Sequence, residues 1–222
     1  MTDDDATLER VSHLLSDEKV VEAYIDLRHR VIVLLRSLSP EQSRLVVPAC
    51  PEWTVSELAA HIVGTPEDIL AGRMEGVTTD AWTQAQVDRH RGESTGEIAD
   101  RLAAIATEFD VVLPHIPSPV NSQMVMDAVT HELDLRSAVG NTDARESLAL
   151  EVARGWLLDS ASRKNPDFAR KITDLSIDTY DLVRSLTGRR TSSQIAEVGL
   201  DERAIAQLLE GSPLHLPTSP VE

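Results

Sequence analysis

Apolar side chains recur at three- and four-residue intervals from Asp17 onward. Val20, Val21, Tyr24, Leu27, Val31, Leu34, Leu35 and Leu38 mark one face of a helix that must stop before Pro40. Residues 1–16 carry no such stripe and read as an acidic, flexible tail in which a helix begins only near the end. The segment Pro48-Ala49-Cys50-Pro51-Glu52-Trp53 cannot continue a helix. Thr54-Val55-Ser56-Glu57 then has the spacing of a capping box, with Trp53 and Leu58 placed to staple the entering chain. The second helix runs through Leu58 and Ile62, is expected to break at Gly64-Thr65-Pro66, and continues to Leu70 before Gly72. A long polar connection with Trp82, Val87 and Gly92, containing some helix, leads to another capping box, Ser94-Thr95-Gly96-Glu97. It opens a third helix through Ile98, Leu102, Ile105, Phe109 and Leu113. Pro117-Ser118-Pro119 bars helix, Asn121 or Ser122 supplies a cap, and a fourth helix passes through Met124, Val125, Val129, Leu133 and Val139 to a Gly140 stop.

Four helices over residues 17–140 make a bundle, and residues 141–222 make a small, mostly helical C-terminal lobe with no sharp linker between. In that lobe Asp143-Ala144-Arg145-Glu146 starts a helix to about Ser162, Pro166 begins an irregular stretch, and helices are expected at Tyr180–Leu186 and Glu202–Leu209. Ile172 to Ile177 is the one strand candidate, and the Pro-rich end from Pro213 reads as loose. The fold class is mainly α.

Composition narrows the setting. The 222 residues can bury a sizeable core, and the single cysteine, Cys50, excludes an internal disulfide and suits a reducing compartment. The acidic start, Met1-Thr2-Asp3-Asp4-Asp5, is unlike a signal peptide, and no apolar run is long enough to cross a bilayer, so a cytoplasmic location is expected. A formal net charge of -16 repels phosphate backbones and anionic lipid, which sets aside nucleic acid and membrane partners. The scarcity of lysine and abundance of alanine suggest a GC-rich genome.

Asp127 and His131, four residues apart, fall roughly 40° from each other around a helix, and Asp134 shares the same stripe. Taken alone, that spacing is more simply an exposed helical pair. His61 lies beside the stripe of Leu58, Ile62 and Thr65 on the second helix, where a lone histidine is more often a satisfied core residue. Together, His61 from one helix and Asp127 with His131 from another would form an open three-ligand site for a divalent ion, with Asp134 bonding a ring N–H behind it. Cys50 precedes a proline and has no His or Asp near in sequence, so it reads as packed beside Trp53 rather than as a nucleophile. Trp82 and Gln86 could line a cavity mouth. His13, His29, His90, His115 and His215 have no partner spacing and read as surface or packing residues.

Three stretches carry a resemblance. Cys50-Pro51-Glu52-Trp53-Thr54-Val55-Ser56-Glu57-Leu58-Ala59-Ala60-His61, Asp127-Ala128-Val129-Thr130-His131-Glu132-Leu133-Asp134, and Leu182 to Gln194 through Gly188 resemble, in order, segments of the mycothiol-dependent maleylpyruvate isomerase family. The resemblance implies a DinB-like four-helix bundle holding a divalent metal, usually zinc, through His61, Asp127 and His131. Asp127 stands where the best-known isomerases have Glu, and the C-terminal lobe is shorter than the family's mixed unit. The family uses mycothiol, the low-mass thiol of actinobacteria, as cosubstrate for isomerisation or thiol transfer on a small electrophile. Arg184, Arg189 and Arg190 could then contact the thiol or an anionic substrate, or serve as ordinary salt-bridging arginines. A non-catalytic metal- or ligand-binding bundle is the competing reading.

Overall fold

The computed structural model describes residues 12–212 and 214–221. Helix α1 spans Asp17–Ser37 and presents Val20, Tyr24, Leu27, Val31 and Leu35 inward, as its stripe requires. A two-stranded antiparallel hairpin follows, β1 (Val46–Val47) and β2 (Cys50–Thr54). Helix α2 (Val55–Ala71) starts on the Thr54/Glu57 capping box, and Gly72 at φ 68° ends it. Helix α3 (Asp80–Arg89) lies within the polar connection. The Ser94/Glu97 box opens α4 (Thr95–Ala104), which gives way at Ile105 to α5 (Ala106–Val112). Helix α6 runs over Val120–Ala138.

Helices α1, α4, α2 and α6 pack in that order as a closed ring. Asn121 at the start of α6 donates to Asp17 at the start of α1, so these two run parallel. Arg36 near the end of α1 reaches Asp100 on α4, and Arg28 forks onto Asp110, so α4 and α5 run against α1. Ser56 Oγ at the start of α2 donates to the Glu93 carbonyl just before α4, so α2 runs parallel to α4 and against α6. Two parallel neighbours, α2 and α4, need a long crossover, and residues 73–94 with α3 supply it. This is the DinB-like four-helix arrangement.

Helices α7 (Leu148–Lys164), α8 (Pro166–Asp174), α9 (Thr179–Leu186), α10 (Ser192–Glu197) and α11 (Glu202–Leu209) form the C-terminal part. Helix α7 packs on α1 and α6, and α8 and α9 pack on α7. One cluster of buried apolar side chains, from Val20 through Leu135 to Leu209, runs through both parts. No helix among the described residues is long and apolar enough to cross a membrane.

Several local expectations are corrected. Helix α2 does not break at Gly64-Thr65-Pro66: burial of Ile62, Val63 and Pro66 outweighs the roughly 3 kcal/mol cost of an interior proline. Helix α6 begins at Val120, so Asn121 and Ser122 lie inside its first turn rather than capping it. Helix α7 is capped by Ser147, four residues after the expected start. Pro166 opens α8 instead of an irregular stretch, because Asn165 caps the helix and a first-turn proline loses no bond; Ile172, the strand candidate, sits on its buried face. Most of the expected tail, residues 1–11, and Pro213 lie outside the described residues. Within the described remainder of the two ends, Leu15, Leu214 and Leu216 rest on the core, and Ser137 Oγ donates to the Val221 carbonyl.

Candidate metal centre

The capping box fixes where α2 begins, and two turns later that helix points His61 toward α6. There Asp127 and His131, one turn apart, face it. One donor atom from each of the three residues lies within 4.8 Å of the other two. His61 Nε2 stands 3.4 Å from Asp127 Oδ2 and His131 Nε2 stands 3.5 Å from Asp127 Oδ1. The two imidazole rings are nearly perpendicular, with centroids 5.0 Å apart. Both histidines are largely buried, while the Asp127 side chain is 45% exposed and marks the open side.

The far nitrogen of each ring is held from behind. Asp68, 1% exposed, takes the guanidiniums of Arg73 (2.6 Å) and Arg89 (2.7 Å) on Oδ1, and Gln86 Nε2 donates to its Oδ2 at 2.8 Å. That donation turns Gln86 Oε1 toward His61 Nδ1 at 2.7 Å, where it must accept a ring N–H. His61 Nε2 therefore presents a lone pair to the centre. His131 Nδ1 lies 3.3 Å from Asp134 Oδ2, a fully buried carboxylate that also accepts from Arg184 (2.6 Å) and Arg189 (2.8 Å). Its Nε2 is turned toward Asp127 in the same way.

Two lone pairs aimed at one carboxylate repel unless a cation sits among them. A proton is one answer: burial works against charging His131, yet Asp127 and Asp134 outweigh it and hold the imidazole well above its ordinary pKa. Burial likewise works against ionising Asp127, but His131 and His61 keep its carboxyl far below the usual range. Asp134 is held low against burial by Arg189 and Arg184. A divalent ion is the other answer. Bonds of about 2.1 Å in a tetrahedral array put neighbouring donors about 3.4 Å apart, close to the 3.4 and 3.5 Å that separate the two Nε2 atoms from Oδ2 and Oδ1 of Asp127 respectively. Charge-assisted hydrogen bonds would be nearer 2.7–2.9 Å. The donor set of two neutral imidazoles and a carboxylate, with each ring buttressed, fits such an ion.

The remaining candidates fall around this centre. Arg184 and Arg189 are buried against Asp134, and Arg190 bonds Asp181 at 2.7 Å with its guanidinium over Tyr180. Cys50, half-buried on β2, has its Sγ 4.0 Å from Asp134 Oδ2 and 3.8 Å from Arg189 Nη2, so it neighbours the centre through residues distant in sequence. His90 is buried, with Nε2 3.0 Å from Glu67 and Nδ1 3.2 Å from Glu93, a pairing its sequence spacing did not suggest. Asp68 also escaped the sequence reading, although it stands two turns past His61 on the inward face of α2. A cavity of about 650 Å³ lies between the end of α1, the start of α2 and the turn before α4, and none of the three donors lines it.

Two uncharacterised proteins of Mycobacterium tuberculosis, from strains CDC 1551 / Oshkosh and ATCC 25618 / H37Rv, are each 28% identical to this chain over 106 residues. The aligned stretch covers 46% of this chain and 58% of each relative, so the match spans little more than half of their length. No solved structure matches the chain significantly. Residues 25–136, which contain α2, α6 and all three candidate donors, match the mycothiol maleylpyruvate isomerase N-terminal domain, and the chain belongs to that family.

Proposed function

We propose that the protein is a divalent-metal enzyme that uses mycothiol as cosubstrate for isomerisation or thiol transfer on a small electrophile, with His61, Asp127 and His131 as metal ligands. The observation that carries this reading is the pair of buttressed imidazoles whose Nε2 atoms stand 3.4 and 3.5 Å from the two oxygens of one carboxylate, longer than charge-assisted hydrogen bonds. When bound there, zinc or a similar ion supplies the Lewis acidity that turns a thiol into a nucleophilic thiolate near neutral pH. The protein's residues do the rest. Gln86 and Asp134 keep both rings in the tautomer that faces the centre, and the exposed side of Asp127 leaves room for a thiol to approach. In this reading Arg184 and Arg189 act through Asp134, and Arg190 through Asp181, rather than by direct contact with the thiol. The shorter carboxylate of Asp127 still reaches toward both rings, with Oδ2 3.4 Å from His61 Nε2 and Oδ1 3.5 Å from His131 Nε2.

Metal content and mycothiol transfer to a bimane electrophile, measured on native protein and three variants, test the proposal. His131→Ala should lose both metal and turnover. Cys50→Ala should keep both, and Asp127→Glu should keep metal. Turnover that survives His131→Ala but disappears with Cys50→Ala would make this a cysteine enzyme instead. Metal retention without turnover on any electrophile would favour a binding protein.

A further inference from the structure

The two imidazoles are backed by the same kind of anion, one directly and one at a remove. Asp134, with Arg184 and Arg189 on it, meets the His131 ring itself. Asp68, with Arg73 and Arg89 on it, reaches His61 only through Gln86. Helix α2 carries His61 and Asp68 seven positions apart, two turns along one face, and α3 lays the Gln86 amide between them. Both Asp68 and Gln86 are fully buried, which keeps bulk water from competing for their bonds.

Two links in this relay could face either way. An amide turned over exchanges its oxygen and its NH2, and a neutral imidazole holds its proton on either nitrogen. A carboxylate offers acceptors alone, and a guanidinium donors alone. Asp68 therefore admits only the NH2 of Gln86, at 2.8 Å. The amide oxygen is left for His61 Nδ1 at 2.7 Å, the ring proton must lie there, and Nε2 faces Asp127 bare. Among the described residues the Gln86 side chain makes no third hydrogen bond that would choose its direction instead.

Resting on the metal-centre reading above, we propose that Asp68 is a positioning residue for the centre: from two hydrogen bonds away, its carboxylate sets the direction of the relay and so decides which His61 nitrogen is free to bind the ion. A clamp that merely ties down the crossover through Arg73 and Arg89 would have no such effect.

Removing the charge without removing bulk separates the two roles. With Asp68→Asn the arginines, which can only donate, claim the new amide oxygen, and its NH2 is left facing Gln86. Gln86 must then turn over, donate to His61 Nδ1 and drive the ring proton to Nε2, where it blocks the ion. Adding Gln86→Glu to that variant supplies an acceptor at each end, one for the new NH2 and one for the His61 Nδ1 proton. The native tautomer returns although Asp68 does not.

Nitrogen-15 NMR of the histidine rings in the zinc-free, full-length chain reads the tautomer at mildly alkaline pH, where an ordinary imidazole is neutral. Chelator competition reads zinc affinity on the same samples. Native protein should show His61 protonated on Nδ1 and bind one zinc. Asp68→Asn should show the proton on Nε2 and weaken zinc about 10- to 100-fold with helix content unchanged, and the double variant should return the proton to Nδ1 and recover most of the affinity. A native ring protonated on Nε2, an Asp68→Asn ring that keeps the native tautomer, or a double variant as weak as the single one overturns this inference alone. A native chain that holds no zinc overturns the metal reading and this inference with it.

Discussion

His61 and His131 depend on residues that hold their far nitrogens, and those residues differ in how visible they are from sequence. Asp134 is three positions from His131 on one helix, so its role could be read from helical spacing. Gln86 and Asp68 stand 25 and seven positions from His61, and the bond between them crosses from α3 to α2. Nothing local announces that pairing. The approach is possible because Gly64 has no side chain: a Cβ there would lie 2.5 Å from Gln86 Cβ. Residues that orient a metal ligand are typically worth about 10- to 100-fold in metal affinity. Gln86→Ala should therefore weaken zinc binding by about that factor in a chelator competition, with helix content unchanged; unaltered affinity would show that His61 needs no such support.

Protonation at the same residues predicts a pH effect. The carboxylates of Asp127 and Asp134 raise His131 well above its ordinary value of 6.5 despite burial, so the metal-free protein carries a proton there at neutral pH. An incoming ion must displace it. Zinc affinity should rise with pH up to the folded pKa of His131, with about one proton released per ion near pH 7. Titration calorimetry in buffers of different ionisation enthalpy measures that number directly, and a value of zero would mean the ring is neutral before the metal arrives.

Among the elements, those specified by local chemistry were legible. The capping boxes at Thr54 and Ser94 and the left-handed stops at Gly72, Gly140 and Gly188 each need only a few neighbouring residues. Elements decided by tertiary contact were not. Helix α2 passes through Pro66 because both flanks are buried, the hairpin before it is too short to show alternation, and α10 is a six-residue helix with a single buried side chain, Ile195. Helix α3 shows almost no amphipathic stripe, and what ties its end to the bundle is ionic. There His90 faces Glu67 from α2 and Glu93 from the turn before α4, with Arg89 on Glu67 and Arg101 on Glu93. The bond to Glu67, ahead of the opposing effect of burial, raises His90 above its ordinary 6.5. Glu67, despite burial, and Glu93, mainly through Arg101, sit below their ordinary 4.5. A raised histidine stabilises the fold fully below its unfolded value and loses that contribution as pH climbs through its folded value. Lowered glutamates contribute above their unfolded value and lose it as pH falls. This junction should thus be firmest between about pH 5 and 6.5. Melting temperature followed against pH should decline on the alkaline side more steeply in the native protein than in His90→Gln, and parallel curves would show that the cluster does not hold α3.

Across the whole molecule, the ring of α1, α4, α2 and α6 brings together residues 66 positions apart and encloses their backing, while α9 and the turn after it reach back to deliver Arg184 and Arg189 to Asp134. The C-terminal helices thereby support the centre as well as the core, a link that no motif in either half reveals. The bundle's DinB-like character was legible because helix periodicity and three ordered segments agreed; the corrected ends and the second cluster of Cys50, His131 and Asp134 depend on packing that joins distant segments. That second cluster gives the account its most direct test. Zinc-edge X-ray absorption on the protein loaded with one equivalent, in the absence of added thiol, reads the donors themselves. The account predicts nitrogen and oxygen donors at about 2.0–2.2 Å and no sulfur, as His61, Asp127 and His131 require. A sulfur donor at about 2.3 Å, lost in Cys50→Ala, would place the ion on the other cluster and contradict it.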